Sequence, residues 1–199
     1  MTRTASQTLL IGMILLPIFY FGMQVLLAPG FAGYSLLRDA TSVLGADGSP
    51  VARWFNLLAI IGGLLGIAGA WGAYRTLLLA DGGLAKCIIL PAVVAIVAAG
   101  SIWAGIFPMP NPLHPMNPST PAMLLMPLIA LIYAWWVRPF YSMRVPMLVN
   151  FVAFLIILPL MFGLLPIDRQ AFGGLLQRLL AATVFLPIGV IGWALRQAS

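Results

Sequence analysis

Two side chains of this chain have the types that acid–base and nucleophilic chemistry need, and they lie far apart in sequence. Thr41 sits in the stretch GYSLLRDATSVLGADGSPVAR over 33–53, and His114, the single histidine, sits in SIWAGIFPMPNPLHPMNPSTP over 101–121. Imidazole is the one side chain whose ordinary pKa suits proton transfer near neutrality. A hydroxyl becomes a nucleophile when such a base takes its proton. Ser42 is the understudy for Thr41, and Asp39 or Asp168 could orient the imidazole as the third member of a triad does. The candidate catalytic set is therefore Thr41, His114, Ser42 and Asp39. Each residue also has a plain structural role available. A threonine hydroxyl often bonds a carbonyl one turn back, a lone loop histidine is commonly solvated, and Asp168 beside Arg169 can simply pair with it.

The elements that must bring these groups together are apolar. The 199 residues are 62% hydrophobic and only 7% charged, and the mean hydropathy is +1.07. A soluble domain does not have this composition. Six runs approach the roughly 20 residues that a bilayer core requires, at about 9–27, 55–79, 84–106, 121–137, 146–164 and 175–195. The fold class predicted is all-α: an integral membrane bundle of six transmembrane helices forming one domain over 1–199. The first run follows Arg3, but it is longer than a signal-peptide core and precedes no cleavage-like site. It is read as a retained helix whose polar intruder, Gln24, bonds a neighbouring helix.

Between the first two runs, a short amphipathic helix is predicted to lie over the bundle, with Ser35 as its N-cap and Gly45 at its left-handed end. At about 100° per residue, Leu37, Ala40, Thr41 and Leu44 share the inward face. The third loop carries six prolines from Pro108 to Pro121, which predicts a stiff, extended connection. Ser119-Thr120-Pro121 reads as the start of the fourth helix. Gly62, Gly66, Gly69 and Gly72 give the second run a smooth face for close helix packing, expected at the bundle centre against Ala92, Ala95 and Ala99. Pro127, Pro159 and Pro187 are expected to kink later helices, and Gly173-Gly174 to turn the chain before the last one.

Charge sets the expected topology. Arg3, Arg75, Lys86, Arg138, Arg144 and Arg196 fall at the termini, second loop and fourth loop, whereas Arg38, Arg53, Arg169 and Arg178 fall with the other loops. That bias predicts cytoplasmic termini in a bacterial inner membrane, with the first, third and fifth loops outside. Trp71, Trp103, Trp135, Trp136 and Trp193 suit an interfacial belt. The ten cations are scattered, so no nucleic-acid stripe is present. One cysteine, one histidine and no glutamate exclude an internal disulfide and two-histidine haem ligation within one chain, and allow no usual three-ligand metal site unless Asp39 and Asp168 converge. No cofactor is predicted.

The pattern Pro29-Gly30, Tyr34-Ser35, Arg38-Asp39, Ser42, Leu44-Gly45, with Gly62 and Gly105-Ile106-Phe107-Pro108 before His114, resembles an uncharacterised prokaryotic membrane family, domain of unknown function 998. Val43 stands where such proteins often carry an acidic residue. A looser similarity is to androgen-induced membrane hydrolases of fatty-acid esters, which pair an intramembrane threonine with a histidine; that resemblance implies roles for Thr41 and His114. Two functions stay open. One is an intramembrane hydrolase of lipid esters, with Arg38 or first-turn amides steadying the oxyanion and Arg38, Tyr34, Asp168 and Arg169 contacting substrate. The other is a non-enzymatic lipid-binding accessory protein or small carrier. Membrane lipids and a lipid-like small molecule are the expected partners. Few ionisable residues fall mid-membrane, which disfavours an ion-coupled pump, and no ring of pore residues suggests a channel.

Overall fold

The computed structural model describes residues 3–80 and 83–198. Six α-helices account for most of them: α1 (Arg3–Leu27), α2 (Ala52–Leu79), α3 (Leu84–Ile106), α4 (Thr120–Trp136), α5 (Arg144–Met161) and α6 (Arg169–Ala198). Five are long and apolar enough to cross a membrane, and α4 is a shorter apolar helix. With no water in a bilayer core, a helix satisfies its own backbone groups, which is why these runs fold this way. Each helix packs on its neighbours in sequence, and α6 returns to lie against α1, so the six close into a ring. Odd-numbered loops consequently meet at one end, and the even loops and termini at the other.

The core runs along the ring's interior: Leu10, Met13 and Leu16 from α1, Leu90, Val94 and Val97 from α3, Met126 and Tyr133 from α4, and Ile188 and Ile191 from α6. Of the membrane-length helices α6, rather than the expected α2, is the most buried. Over its most apolar stretch α6 is 56% buried, against 44% for α2 and 11% for α5. The glycine face of α2 packs chiefly on α1, not on the alanine side of α3. A Cβ on Gly69 would lie 2.4 Å from the Met13 amide nitrogen, and one on Gly72 2.9 Å from that of Leu10. Toward α3, only Gly63 and Gly66 approach, against Ala98 and Ile102, while Ala92 and Ala99 are exposed. Small residues permit this approach where apolar burial alone gives helices little drive to associate.

The loops depart most from expectation. The predicted amphipathic helix is present only as a 3-10 helix over Thr41–Gly45, preceded by turns. Ser35 and Asp39 account for this. The Asp39 carboxylate accepts the Ser35 amide at 2.7 Å and the Ser35 carbonyl accepts the Asp39 amide at 2.8 Å, so local bonding competes with a regular helix start. Gly45 is needed for room rather than for a left-handed bend, since a Cβ there would fall 2.3 Å from Asn56 Oδ1. The proline-rich third loop is a chain of tight turns instead of an extended strut. Asn111 and Asn117 turn their side-chain oxygens onto the Leu113 and Ser119 amides, the local bonding at which asparagine excels. Ser119 accordingly bonds Asn117 Oδ1 and gives no side-chain cap to α4. Gly173 and Gly174 lie inside α6, which begins at Arg169. Their lack of a side chain admits the first loop: a Cβ on Gly174 would sit 2.5 Å from the Asp39 carbonyl oxygen.

Candidate functional site

Polar side chains are scarce in this bundle, and several of them meet beneath the first loop. Thr41, at the start of the 3-10 helix, is buried and donates its hydroxyl to Gln24 Oε1 of α1 at 3.0 Å. Its amide donates to Gln177 Oε1 of α6 at 2.7 Å. Gln24 turns its own amide back to the Tyr20 carbonyl of the same helix. Thr41 thus joins two helices through two glutamines, and its hydroxyl does not go to a carbonyl one turn back. An inward hydroxyl in apolar surroundings requires such a partner.

His114 is held by the turns of the third loop. Its Nδ1 lies 2.7 Å from the Phe107 carbonyl oxygen. A carbonyl only accepts, so Nδ1 carries a proton, and in the neutral ring Nε2 is the nitrogen with the free lone pair. The backbone of Phe107 therefore orients the imidazole, not Asp39 or Asp168. Asp39 pairs with Arg38 at 2.9 Å, and the Arg38 guanidinium, with the Ser35 amide, holds its carboxyl below the ordinary carboxylate range. Asp168 accepts the Gln170 and Ala171 amides at the start of α6, favourable at a helix N-terminus. Arg169 does not pair with it; the guanidinium lies against Gly163.

Thr41, Ser42, His114, Asn117 and Gln177 all line one cavity of about 300 Å3. Its walls are mainly apolar, with Met23, Phe55, Val184 and Phe185 among them, and the exposed Leu124 and Phe162 also face it. Ser42 spans from the first loop to the third, its hydroxyl 3.4 Å from Met109 Sδ. The Asp47 amide reinforces that junction by donating to the Met109 carbonyl at 2.8 Å. The structure thus brings Thr41, Ser42 and His114 to a common chamber. Arg38, Asp39, Tyr34, Asp168 and Arg169 are not in its wall.

The chain over residues 11–194 matches the family described as Protein of unknown function (DUF998). It belongs to that family. No curated protein and no solved structure matches it. The resemblance seen in the two loops of this DUF998 member therefore extends over nearly its whole length, and the family description carries no activity.

Sequence reasoning missed Arg178, which it assigned to a loop. Arg178 stands more than two turns inside α6 and donates Nη1 to the carbonyls of Leu36 (2.7 Å), Asp39 (3.0 Å) and Gly174 (2.8 Å), and Nη2 to the Tyr34 hydroxyl. Burial pushes the Tyr34 phenol up, and the Arg178 charge opposes that shift. Gly174 and Leu175 add amide bonds to the carbonyls of Arg38 and Leu37. The first loop is clamped onto α6 by these bonds and so roofs the chamber. The readable signal was a Gln-Arg pair within an apolar run, since polar residues in such helices face the interior and find partners.

Proposed function

We propose that this DUF998 member is a membrane protein that takes a lipid-like amphiphile into the chamber under its first and third loops. The polar end of the ligand would lie among Thr41, Ser42, His114 and Asn117, and its chain along the apolar wall. The observation that carries this is the composition of the cavity, apolar on most sides with a few convergent polar groups, as small-molecule sites usually are. The exposed Leu124 and Phe162 in its wall suit entry from the bilayer. The charge bias supports termini on the cytoplasmic side of a bacterial inner membrane and this chamber on the outer side.

Mass spectrometry of the protein extracted in mild detergent tests the reading. One bound lipid per chain is expected, and Ala104→Phe, which fills the cavity, should abolish it. A lipid-free wild type, or undiminished lipid in the variant, contradicts the proposal.

A second reading, hydrolysis of a lipid ester, is favoured by the bond that turns His114 Nδ1 onto the Phe107 carbonyl. The free Nε2 could take the proton from Ser42 or Thr41 as the oxygen attacks the ester carbonyl, then return it to the departing alcohol; water would release the acid by the same route. The Ser42 hydroxyl has only a thioether as partner, a weak acceptor, whereas that of Thr41 is committed to Gln24. Ser42 is therefore the better nucleophile. Ester turnover that survives both His114→Gln and Ser42→Ala removes this reading and leaves the binding site.

A further inference from the structure

The opposite end of the bundle holds a second and larger cavity, of about 740 Å3. None of the residues that line the first chamber lines it. Three cations do: Arg3 from the start of α1, Lys86 from α3, and Arg138 from the 3-10 helix Arg138–Met143 that follows α4. Among the described residues, the ion pair of the chain is Arg38–Asp39 at the far end, so these three cations have no carboxylate partner among those residues. Asp81 follows Ala80 in the chain and lies outside the described residues. Even counting it, the cations assigned to this end outnumber carboxylates six to one. Lys86 is fixed over the Trp136 ring, with Nζ 5.3 Å from the centroid, a contact that holds a cation without neutralising it.

A second observation is independent of the charges. Ser6, in the same wall, is 1% exposed, and its hydroxyl has no hydrogen-bond partner. A buried hydroxyl left unpaired costs free energy, and each such group in a folded protein calls for an explanation. Thr76 adds another buried hydroxyl to the wall. Converging positive charge and hydroxyl donors, with no acidic side chain among the described residues of the wall, make a receptor for a polyoxygen anion. Phosphate offers several strong acceptor oxygens to such an array, and Leu77, Leu195 and the Trp136 ring provide an apolar flank. The volume exceeds what a bare phosphate fills.

We propose that this cavity binds a phosphate-ester anion of glycerophosphate type, held by Arg3, Lys86 and Arg138 with the Ser6 hydroxyl donating to a phosphate oxygen. Two sources share that chemistry, the headgroup of an anionic lipid and a free phosphate ester. The site is separate from the chamber at the other end and does not depend on what that chamber binds.

The test uses the full chain in nanodiscs of phosphatidylcholine containing some phosphatidylglycerol, followed by mass spectrometry of the released protein. Preferential retention of phosphatidylglycerol is expected, with a fall of about fivefold in Arg138→Gln and a larger one in the Lys86→Gln/Arg138→Gln double variant. Arg138 is exposed, so the single variant keeps its fold and remains a fair test if the double one does not. Added sn-glycerol 3-phosphate separates the sources: displacement of the lipid, or thermal stabilisation of lipid-free protein in detergent, assigns the site to a free ester, and persistence of the lipid assigns it to a headgroup. Equal retention of the two lipids with no response to glycerol phosphate, or retention in Arg138→Gln equal to the wild type, overturns the proposal.

Discussion

Arg178 gathers three carbonyls and a phenol with one planar group, and lysine, with a single ammonium, cannot reproduce that fork. Arg178→Lys should lower stability by about 2–3 kcal/mol, since several buried acceptors lose donors, and should expose the chain at 33–41 to protease before the helices melt. A melting temperature in detergent and a limited digest check both parts; a variant that melts and digests like the wild type contradicts the clamp. Thr41→Val tests the neighbouring bond. It strands Gln24 Oε1, and a cost of about 1–3 kcal/mol is expected in the same measurement. Asp39 makes a prediction in pH. Its carboxyl titrates below the ordinary value because the ionised form is bonded to Arg38 and the Ser35 amide. The stabilisation is therefore present above about pH 4 and is lost as pH falls through the depressed folded value. The difference in melting temperature between wild type and Asp39→Asn should be visible at neutral pH and vanish in strong acid. A difference that persists in acid would show that ionisation plays no part.

At the scale of helices, the α1–α2 crossing is the tightest approach in the bundle. A Cβ on Gly12 would fall 1.9 Å from the Leu65 carbonyl oxygen, which is backbone and cannot swing aside. On Gly22, one α1 face away, it would meet nothing within 4 Å. Gly12→Ala should cost about 3 kcal/mol by forcing the helices apart, while Gly22→Ala should be neutral or slightly stabilising. Comparable melting temperatures for the two variants would refute the crossing. This contrast also marks what sequence can disclose. Length and hydropathy were enough for six helices, because a bilayer imposes both. The glycine spacing of α2 announced close packing but not the partner, since a smooth face fits α1 and α3 alike. The loops were read least well. Ser35 and Asp39 bond each other and break the expected helix, and the prolines around His114 permit tight turns once Asn111 and Asn117 supply local acceptors. For the site, residue type pointed to Thr41, Ser42 and His114, which do share a cavity. It could not reveal that a backbone carbonyl would orient the imidazole, because carbonyls leave no mark in a sequence. Gln177 and Arg178 were legible as polar intruders within the run 175–195, yet counting Arg178 among the loop cations hid its place inside α6.

For the molecule as a whole, the ring of helices turns a weak statistical bias into a definite geometric one. All odd loops lie at one end, so the direction of insertion decides in one step which cavity faces which compartment. The end bearing Arg3, Arg75, Lys86, Arg138, Arg144 and Arg196 carries six cations against four on the other. The difference is small, but the four are less effective than the count suggests. Arg38 is paired with Asp39, and Arg178 is consumed inside α6 by the loop carbonyls. Cations near helix ends are what resist transfer across the membrane, so the even-loop end is expected to stay in the cytoplasm. The single cysteine, Cys87, is buried, which makes thiol labelling clean. Asp47 and Ser142 are exposed at opposite ends. In intact cells a membrane-impermeant maleimide should label Asp47→Cys and spare Ser142→Cys until the membrane is permeabilised. The reverse pattern would put the amphiphile chamber in the cytoplasmic leaflet and the cationic cavity outside. Each binding proposal would survive that result, since neither depends on the side, but the supply of ligand to each end would have to be exchanged.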